Sequence, residues 1–295
     1  MEITNIFFII FLSLQIGLIY GLIALGFNLL YSSTRIINIT YGDFITLSGY
    51  ITFWLYSLYN ISPFLSLGIS SFFLILFTLP FFYILEKFVL SSKNILYIEI
   101  WGVIITFGFS IFLQGTMSYL WSAQSRSYAY LDNVIDFFGV SFLLNKFLTT
   151  IVAALLIFLL YFLLFKTNIG IMLRGVIQDP ELASNLGLNM RKIFLIAFII
   201  SSFIASISGV LLSMSFEINP FMGSIYLILA FVIAVVGGIG NPLGSLISGI
   251  LFGFVDVIIS YTIGPSLKFF IIYSLLLLIL IYRPWGLMGR GVRYA

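Results

Sequence analysis

Apolar runs of about 18 or more residues recur along the whole chain, and they constrain its fold more than any other feature. A helix of that length crosses the roughly 30 Å hydrocarbon core of a bilayer. The chain is 62% hydrophobic and 8% charged, and its mean hydropathy is +1.21. Because a helix satisfies its own backbone hydrogen bonds and the alternating pattern of a membrane β-barrel is absent, the sequence predicts an all-α integral membrane protein.

Nine apolar segments are candidate spans of a polytopic helical bundle. They cover about 7–31, 44–60, 64–84, 98–120, 147–165, 193–215, 225–238, 245–262 and 267–282. Three of them are short or broken by glycine, so we expect eight to ten crossings with broken or re-entrant segments. We interpret residues 1–295 as one transmembrane domain with two notable loops. The loop at about 166–192 is polar, and the loop at about 121–146 forms a small folded external cap.

The distribution of basic residues sets the orientation of the chain. With nine crossings and an external N-terminus, the inner loops hold Arg35, Lys87, Lys93, Lys166, Arg174, Arg191, Lys192, Arg283, Arg290 and Arg293. The outer loops hold Arg126, Lys146 and Lys268. This excess predicts a multi-pass cell-membrane protein whose loop 166–192 and C-terminus are cytoplasmic.

Several classes of chemistry are excluded by composition. Cysteine and histidine are absent, so we expect no disulfide, no metal site, no cofactor and no catalytic residue. No G-x-x-x-x-G-K-[ST] motif occurs, so the chain does not cradle ATP phosphates in that way. The basic residues lie near membrane boundaries, which does not favour a nucleic-acid partner.

The polar loop contains a short helix with complete capping signals. Asp179 is an N-cap residue, and Pro180 takes the first helical position. Glu181 lies in the first turn, where carboxylates are favourable, and Gly187 follows the end of the helix. The sequence therefore predicts a helix of about seven residues, roughly 10 Å long.

This short helix also carries an apolar patch. Leu182 and Leu186 share one face, and Ala183 lies beside them. A helix this short needs packing partners. The patch belongs either to an ordinary loop that folds against its own bundle or to a docking site for a cytoplasmic partner.

Polar residues at the start of the second span form another candidate site. They are Asn38, Thr40, Tyr41, Gly42 and Asp43. A carboxylate at membrane depth costs about 2.5–3.5 kcal/mol on insertion scales. One interpretation is a broken helix that lines a transport route. The alternative is that the carboxylate caps the second span at the cytoplasmic interface and pairs with Arg35.

Three further features have structural interpretations. The stretch GGIGNPLG at 237–244 is either a tight cytoplasmic turn or a re-entrant break near the pore. Asp256 faces either the bundle interior or the outer interface near Lys268, and we expect it to form a structural ion pair or to act at a helix end. Pairs of glycines four residues apart permit close helix packing, within one subunit or across a dimer, at Gly17 and Gly21, Gly240 and Gly244, and Gly249 and Gly253.

The polar loop resembles a known motif. Glu181, Leu182, Ala183 and Gly187 are similar to the E-A-A-x-x-x-G loop of ATP-binding-cassette (ABC) permeases, whose short coupling helix seats in the ATPase subunit. An ordered set of motifs from about 13 to 290 resembles branched-chain amino acid permeases of the LivH type: INITYGDFITLSGY, EKFVLSSKN, FGFSIFLQ, RGVIQDPELASNLGLNMRK, VVGGIGNPLGSLISGILFG and YRPWGLMGR. Tyr41 stands where the family has His or Gln, Asp43 where Glu is commoner, and Leu182 where the loop motif has Ala.

The resemblance implies a function and its residues. The chain would be the permease subunit of an importer that moves leucine, isoleucine, valine or a related small neutral or zwitterionic solute by alternating access. Its implied partners are cytoplasmic ATP-binding subunits, a second homologous permease, an extracytoplasmic solute-binding protein and membrane lipid.

The implied substrate pathway contains Asn38, Thr40, Tyr41, Gly42, Asp43, Gly237, Gly238 and Gly240. The implied coupling residues are Arg174, Asp179, Pro180, Glu181, Leu182, Ala183, Leu186 and Gly187. The alternative is a secondary transporter that works alone, with Asp43 and Asp256 as the candidate ion-coupling carboxylates.

Overall fold

The computed structural model describes residues 2–92, 94–137 and 140–289, and eleven α-helices form most of this part of the chain. They are α1 (Glu2–Thr34), α2 (Thr40–Tyr59), α3 (Pro63–Leu85), α4 (Ile95–Trp121), α5 (Leu144–Lys166), α6 (Asn168–Gln178), α7 (Pro180–Asn185), α8 (Met190–Ser213), α9 (Met222–Gly237), α10 (Pro242–Thr262) and α11 (Lys268–Tyr282). A π-helical turn follows α3 at Glu86–Leu90, and a 3-10 turn precedes α11 at Pro265–Leu267.

The predicted membrane segments all coincide with helices. By length and composition, six helices are apolar enough to cross a membrane, namely α1, α3, α4, α5, α8 and α10. The apolar helices α9 and α11 are shorter, and α2 is a 20-residue helix with a polar first turn. The predicted all-α polytopic membrane fold is confirmed. Lys93, Arg290 and Arg293 of the predicted inner set lie outside the described residues.

The chain forms two compact units. The first contains the described residues up to Asn28, then Ala129–Phe158, and the residues from Leu229 onward. The second contains Leu29–Tyr128 and Leu159–Ile228. The interpretation of the whole chain as one permease domain stays a prediction.

Glycines bring α1 and α10 together in the first unit. A Cβ added at Gly249 would overlap the backbone of Gly21, and a Cβ at Gly253 would overlap that of Gly17. Two of the predicted glycine pairs therefore pack against each other within one chain. The third pair is not a helical one, because Gly240 lies in the turn between α9 and α10.

The second unit is organised around α2 and α8. A Cβ at Gly209 of α8 would overlap the carbonyl oxygen of Ile45 of α2, so the two backbones touch. The Ser48 hydroxyl of α2 donates to the Ser206 carbonyl of α8 at 2.6 Å. Helix α3 joins the same core because the Thr78 hydroxyl donates to Ser202 of α8 at 2.8 Å. Close backbones and buried hydroxyl bonds hold helices together where the hydrophobic effect does not.

The predicted external cap contains a β-hairpin. Strand β1 (Val134–Phe137) pairs antiparallel with β2 (Val140–Leu143). Phe142 of β2 packs on Phe11 of α1, with ring centroids 4.5 Å apart. This contact explains why a loop predicted only as a small folded segment has a defined structure.

Replacing Gly253 by Ala tests the contact between α1 and α10. We expect the free energy of unfolding to fall by about 1–3 kcal/mol, because the added methyl group has no room beside Gly17. Thermal unfolding in detergent measures this change. The control is Gly175→Ala in α6, where a Cβ meets nothing within 4 Å and helix propensity improves by about 1 kcal/mol. Equal effects of the two substitutions would contradict the packing.

Candidate functional site

The helical backbone is interrupted between α1 and α2, and α2 begins with buried polar residues. Arg35 has a left-handed backbone, with φ of 60°. The Asn38 Oδ1 atom accepts from the Thr40 backbone N–H at 3.1 Å and so supports the first turn of α2. Asn38, Thr40, Tyr41 and Asp43 are all buried.

Asp43 belongs to a polar cluster inside the second unit. Its Oδ1 atom accepts a hydrogen bond from Gln114 Nε2 of α4 at 2.9 Å. The same amide nitrogen lies 3.1 Å from the Ser110 hydroxyl and 3.2 Å from the Ser224 hydroxyl. Three helices, α2, α4 and α9, thus meet at one partly buried amide.

Gly42 allows this cluster to be compact. A Cβ at Gly42 would overlap the carbonyl oxygen of Gly223, and a Cβ at Gly223 would overlap that of Gly42. The start of α9 therefore lies directly on the first turn of α2. Any larger residue at either position would push Ser224 away from Gln114.

One interpretation of Asp43 is wrong. The residue does not cap α2, because the helix begins at Thr40 and the N-cap position is Ile39. Across residues 2–92, 94–137 and 140–289, Asp43 takes part in no ion pair, with Arg35 or any other cation. The carboxylate is 1% exposed, and its Oδ2 atom has no hydrogen-bond partner there.

The energetics of this carboxylate are unfavourable without a further partner. A hydrogen bond to a charged group returns about 1.5–3 kcal/mol. A charge in the first turn of a helix gains about 0.3–1 kcal/mol from the macrodipole. An unsatisfied buried charged oxygen costs more than about 1–3 kcal/mol, in addition to the cost of placing the charge in the membrane.

The contact between α2 and α4 continues beyond Asp43. The Thr40 hydroxyl donates to the Thr106 carbonyl at 3.0 Å, and Tyr50 stacks on Trp121 at 4.6 Å between ring centroids. The two helices run in parallel, since residues later in α2 meet residues later in α4. After α4 ends, the Arg126 guanidinium lies over the ring of Trp54 in α2 at 5.2 Å.

A second buried carboxylate, Asp256 of α10, differs from Asp43 in having a cationic partner. Lys268 Nζ lies 3.3 Å from its Oδ2 atom, and the Tyr20 hydroxyl donates to the same oxygen. Ser260 donates to Oδ1 at 3.2 Å. The predicted structural ion pair with Lys268 is confirmed, and both oxygens of Asp256 have partners.

The glycine-rich stretch 237–244 forms a tight turn. Helix α9 ends at Gly237 and α10 begins at Pro242. Gly238 and Gly240 have φ of 102° and 83°, a left-handed backbone that favours glycine. The stretch therefore has the shape of a tight turn, and its position, at the cytoplasmic surface or at a re-entrant break, stays a prediction.

Two other segments hold this turn. The Asn28 amide of α1 donates to the Gly238 carbonyl at 3.1 Å, and its Oδ1 atom accepts from the Gly240 N–H at 2.8 Å. After α11, the Leu287 N–H donates to the Val236 carbonyl at 2.7 Å. The chain near its C-terminus therefore completes the hydrogen bonds that the end of α9 lacks. The place of Gly237, Gly238 and Gly240 in a substrate pathway stays a prediction.

The short helix in the polar loop has the predicted caps. Asp179 Oδ1 accepts from the Leu182 N–H at 2.9 Å, and Pro180 is the first residue of α7. Gly187 has φ of 85°, as expected for the residue after a helix. The side chain of Leu182 is 58% exposed and that of Leu186 is 75% exposed.

Ala183 and Arg174 do not share that surface. Ala183 is buried, so it anchors α7 at the edge of the exposed patch that the two leucines form. Arg174 belongs to α6, a helix that the sequence analysis left unassigned, and its guanidinium lies 5.0 Å from the Phe165 ring centroid of α5. The coupling roles of these residues stay predictions.

The polar loop is tied to the rest of the second unit by charge. Arg191, at the start of α8, forms an ion pair with Glu86 of the π-helical turn at 2.7 Å. Sequence analysis gave no role to Glu86, Gln114, Ser110, Ser224 or Asn28. Three of them carried a signal, because Glu86 lies in the EKFVLSSKN motif and Ser110 and Gln114 lie in FGFSIFLQ.

Comparison with known proteins assigns the family. A family model described as the permease component of the branched-chain amino acid transport system matches residues 9–281. The chain belongs to this family. The predicted resemblance is confirmed over most of the chain.

Individual relatives agree with this assignment. A probable branched-chain amino acid transport permease protein LivH of Methanocaldococcus jannaschii is 29% identical over 91% of this chain and 88% of its own length. The high-affinity branched-chain amino acid permease BraD of Pseudomonas aeruginosa is 27% identical over 94% of each chain. The guanosine ABC transporter permease NupQ of Bacillus subtilis is 31% identical over 41% of this chain and 38% of its own. No solved structure matches.

The ion pair between Asp256 and Lys268 can be tested with a double-mutant cycle in this family member. Lys268→Met leaves a buried carboxylate without its cation, so we expect the free energy of unfolding to fall by about 3 kcal/mol. Adding Asp256→Asn removes that charge, and we expect the double variant to lose less than the sum of the single losses. Unfolding in detergent measures each variant. Additive losses would show that the two side chains do not interact.

Proposed function

We propose that this chain is the permease subunit of an ABC importer that moves branched-chain amino acids or a related small zwitterionic solute by alternating access. The observation that carries the proposal is α7, a capped helix that presents Leu182 and Leu186 to its surroundings. Separate cytoplasmic ATP-binding subunits would cover these leucines. The chain is then a transporter subunit and not an enzyme.

The build of α7 supports a docking role. Six residues are too few for a helix that is stable alone, yet Asp179, Gly187 and the buried Ala183 fix both ends and the inner side. A rigid patch loses little conformational entropy when a partner covers it. Exposed leucines on such a patch gain free energy when they are buried against an apolar cleft.

The second unit contains a route by which movement of α7 reaches α2. Helix α8 follows α7, and Arg191 of α8 holds Glu86 near the end of α3. Along its length, α8 contacts α2 through Gly209 and Ile45. Because α2 carries Asp43, a shift of α7 caused by ATP binding would reach the proposed pathway through packed backbone.

The residues proposed for the pathway lie at two helix breaks, the first turn of α2 in the second unit and the end of α9 with its following turn in the first. Asn38, Thr40, Tyr41, Gly42 and Asp43 are buried polar or small residues at a helix break, which suits a route lined by irregular backbone. Gly237, Gly238 and Gly240 supply a second break in the apolar sequence.

The proposal implies further partners and an orientation. One chain supplies one α7, whereas two ATPase copies need two such helices, so a second homologous permease subunit completes the transporter. Uphill import requires a solute-binding protein on the outer side. The excess of basic residues in the inner loops, Arg174 and Arg191 among them, supports a cytoplasmic position for α7 and the C-terminus.

A second candidate function is a secondary transporter that works alone. The observation in its favour is Asp43, a buried carboxylate without an ion pair in the described part of the chain. An ion-driven carrier would transport solute without ATP, which separates it from the importer.

Charge on α7 should uncouple the subunits. We expect Leu182→Glu and Leu186→Glu together to abolish co-purification with the ATPase subunits and ATP-driven leucine uptake into proteoliposomes. The physical reason is the large desolvation free energy of moving two carboxylates into an apolar cleft. Both leucines are exposed, so the fold of the permease should remain intact.

The matched control is Val134→Glu on the hairpin, where an apolar side chain is 62% exposed. This variant should keep the ATPase and the uptake. If the double variant binds the ATPase as well as the control does, α7 is not the docking point. If the wild type, the double variant and the control all take up leucine without ATP when an ion gradient is imposed, the chain is a secondary transporter.

A further inference from the structure

Two buried aspartates of this chain have opposite surroundings. Asp256 has a lysine, a tyrosine and a serine on its two oxygens. Asp43 has the Gln114 amide on Oδ1 and no hydrogen-bond partner on Oδ2 within the described residues. Asp256 shows how the chain satisfies a structural carboxylate, so the missing cation at Asp43 needs a different explanation.

Gln114 orients this carboxylate. Its Nε2 atom is held near the Ser110 and Ser224 hydroxyls, at 3.1 and 3.2 Å, while it donates to Asp43 Oδ1. The contact of Gly42 with Gly223 holds α9 in place beside it. One carboxylate oxygen is therefore fixed by neutral donors, and the other remains available to a cation.

The chemistry of the cluster selects the cation. An unpartnered carboxylate oxygen beside serine hydroxyls suits a compact group with several N–H donors and a positive charge, which describes a primary ammonium. An anion does not suit this cluster, because the carboxylate would repel it.

We propose that Asp43, oriented by Gln114, binds the ammonium group of the transported solute and so selects α-amino acids over uncharged or anionic solutes of similar size. This inference rests on the proposed import function. The solute neutralises the carboxylate while it passes, and Asp43 is 1% exposed because this conformation closes α2 against α4. Gln114 acts as a positioning residue.

The test uses the complex of this chain with its partner permease and ATPases, without the binding protein, so that the membrane site alone is probed. Radiolabelled leucine is bound and then competed with isopentylamine, which has the ammonium only, and with 4-methylpentanoate, which has the carboxylate only. We expect isopentylamine to compete in the wild type. Competition by 4-methylpentanoate alone would overturn the proposal without any variant.

Variants then locate the ammonium site. Asp43→Asn should weaken the binding of isopentylamine by about tenfold or more and leave the binding of 4-methylpentanoate unchanged. Asp43→Glu keeps the charge, so both compounds should bind as they do to the wild type. Gln114→Leu should weaken the binding of isopentylamine less than Asp43→Asn does. Asp256→Asn is the control that removes a buried carboxylate with its own partners, and it should change neither competition.

The outcomes separate the two proposals. If the wild-type complex with its binding protein takes up no leucine with ATP, the import function fails, whatever isopentylamine does. If uptake proceeds and Asp43→Asn binds leucine and isopentylamine as the wild type does, the ammonium site is overturned, because asparagine mimics a neutral carboxyl group.

Discussion

A helix end leaves backbone groups without hydrogen-bond partners, and hydrocarbon supplies none, so side chains must provide them wherever a helix ends away from water. At several helix ends in the described part of the chain the side chain is asparagine. Asn28 reaches from α1 to the turn after α9, Asn241 caps α10, Asn94 caps α4, and Asn189 caps α8. The amide suits this task because it donates and accepts at once. Asparagine at the breaks thus allows a chain of long helices to contain tight turns.

Features with a local cause could be predicted from the sequence. Membrane segments depend on the transfer free energy of a single run of residues, and the caps of α7 depend on neighbours within nine positions. Helix α6 could not be predicted, because Gly170 and Gly175 weaken its helix propensity. It forms because Leu173 and Val176 are buried in the tertiary structure.

The polar cluster needed distant contacts. Asp43 and Gln114 are 71 positions apart, and no local pattern in the sequence links them. The sequence indicated that a carboxylate at membrane depth needs a partner. Only the structure excluded Arg35 as that partner and identified the Gln114 amide. Asp256 was simpler, because Lys268 is only 12 positions away and any helix that ends between them brings the two together.

The turn at Gly238 can complete its hydrogen bonds only late in synthesis. This turn depends on Asn28, near the beginning of the chain, and on the backbone of Leu287 and Met288, near its end. The second unit is complete once Ile228 has left the ribosome, but the first waits until the last residues emerge. During the final part of translation, the turn between α9 and α10 therefore lacks the hydrogen bonds from Leu287 and Met288. A nascent chain that stops early leaves the backbone acceptors of Val236 and Gly237 without these donors.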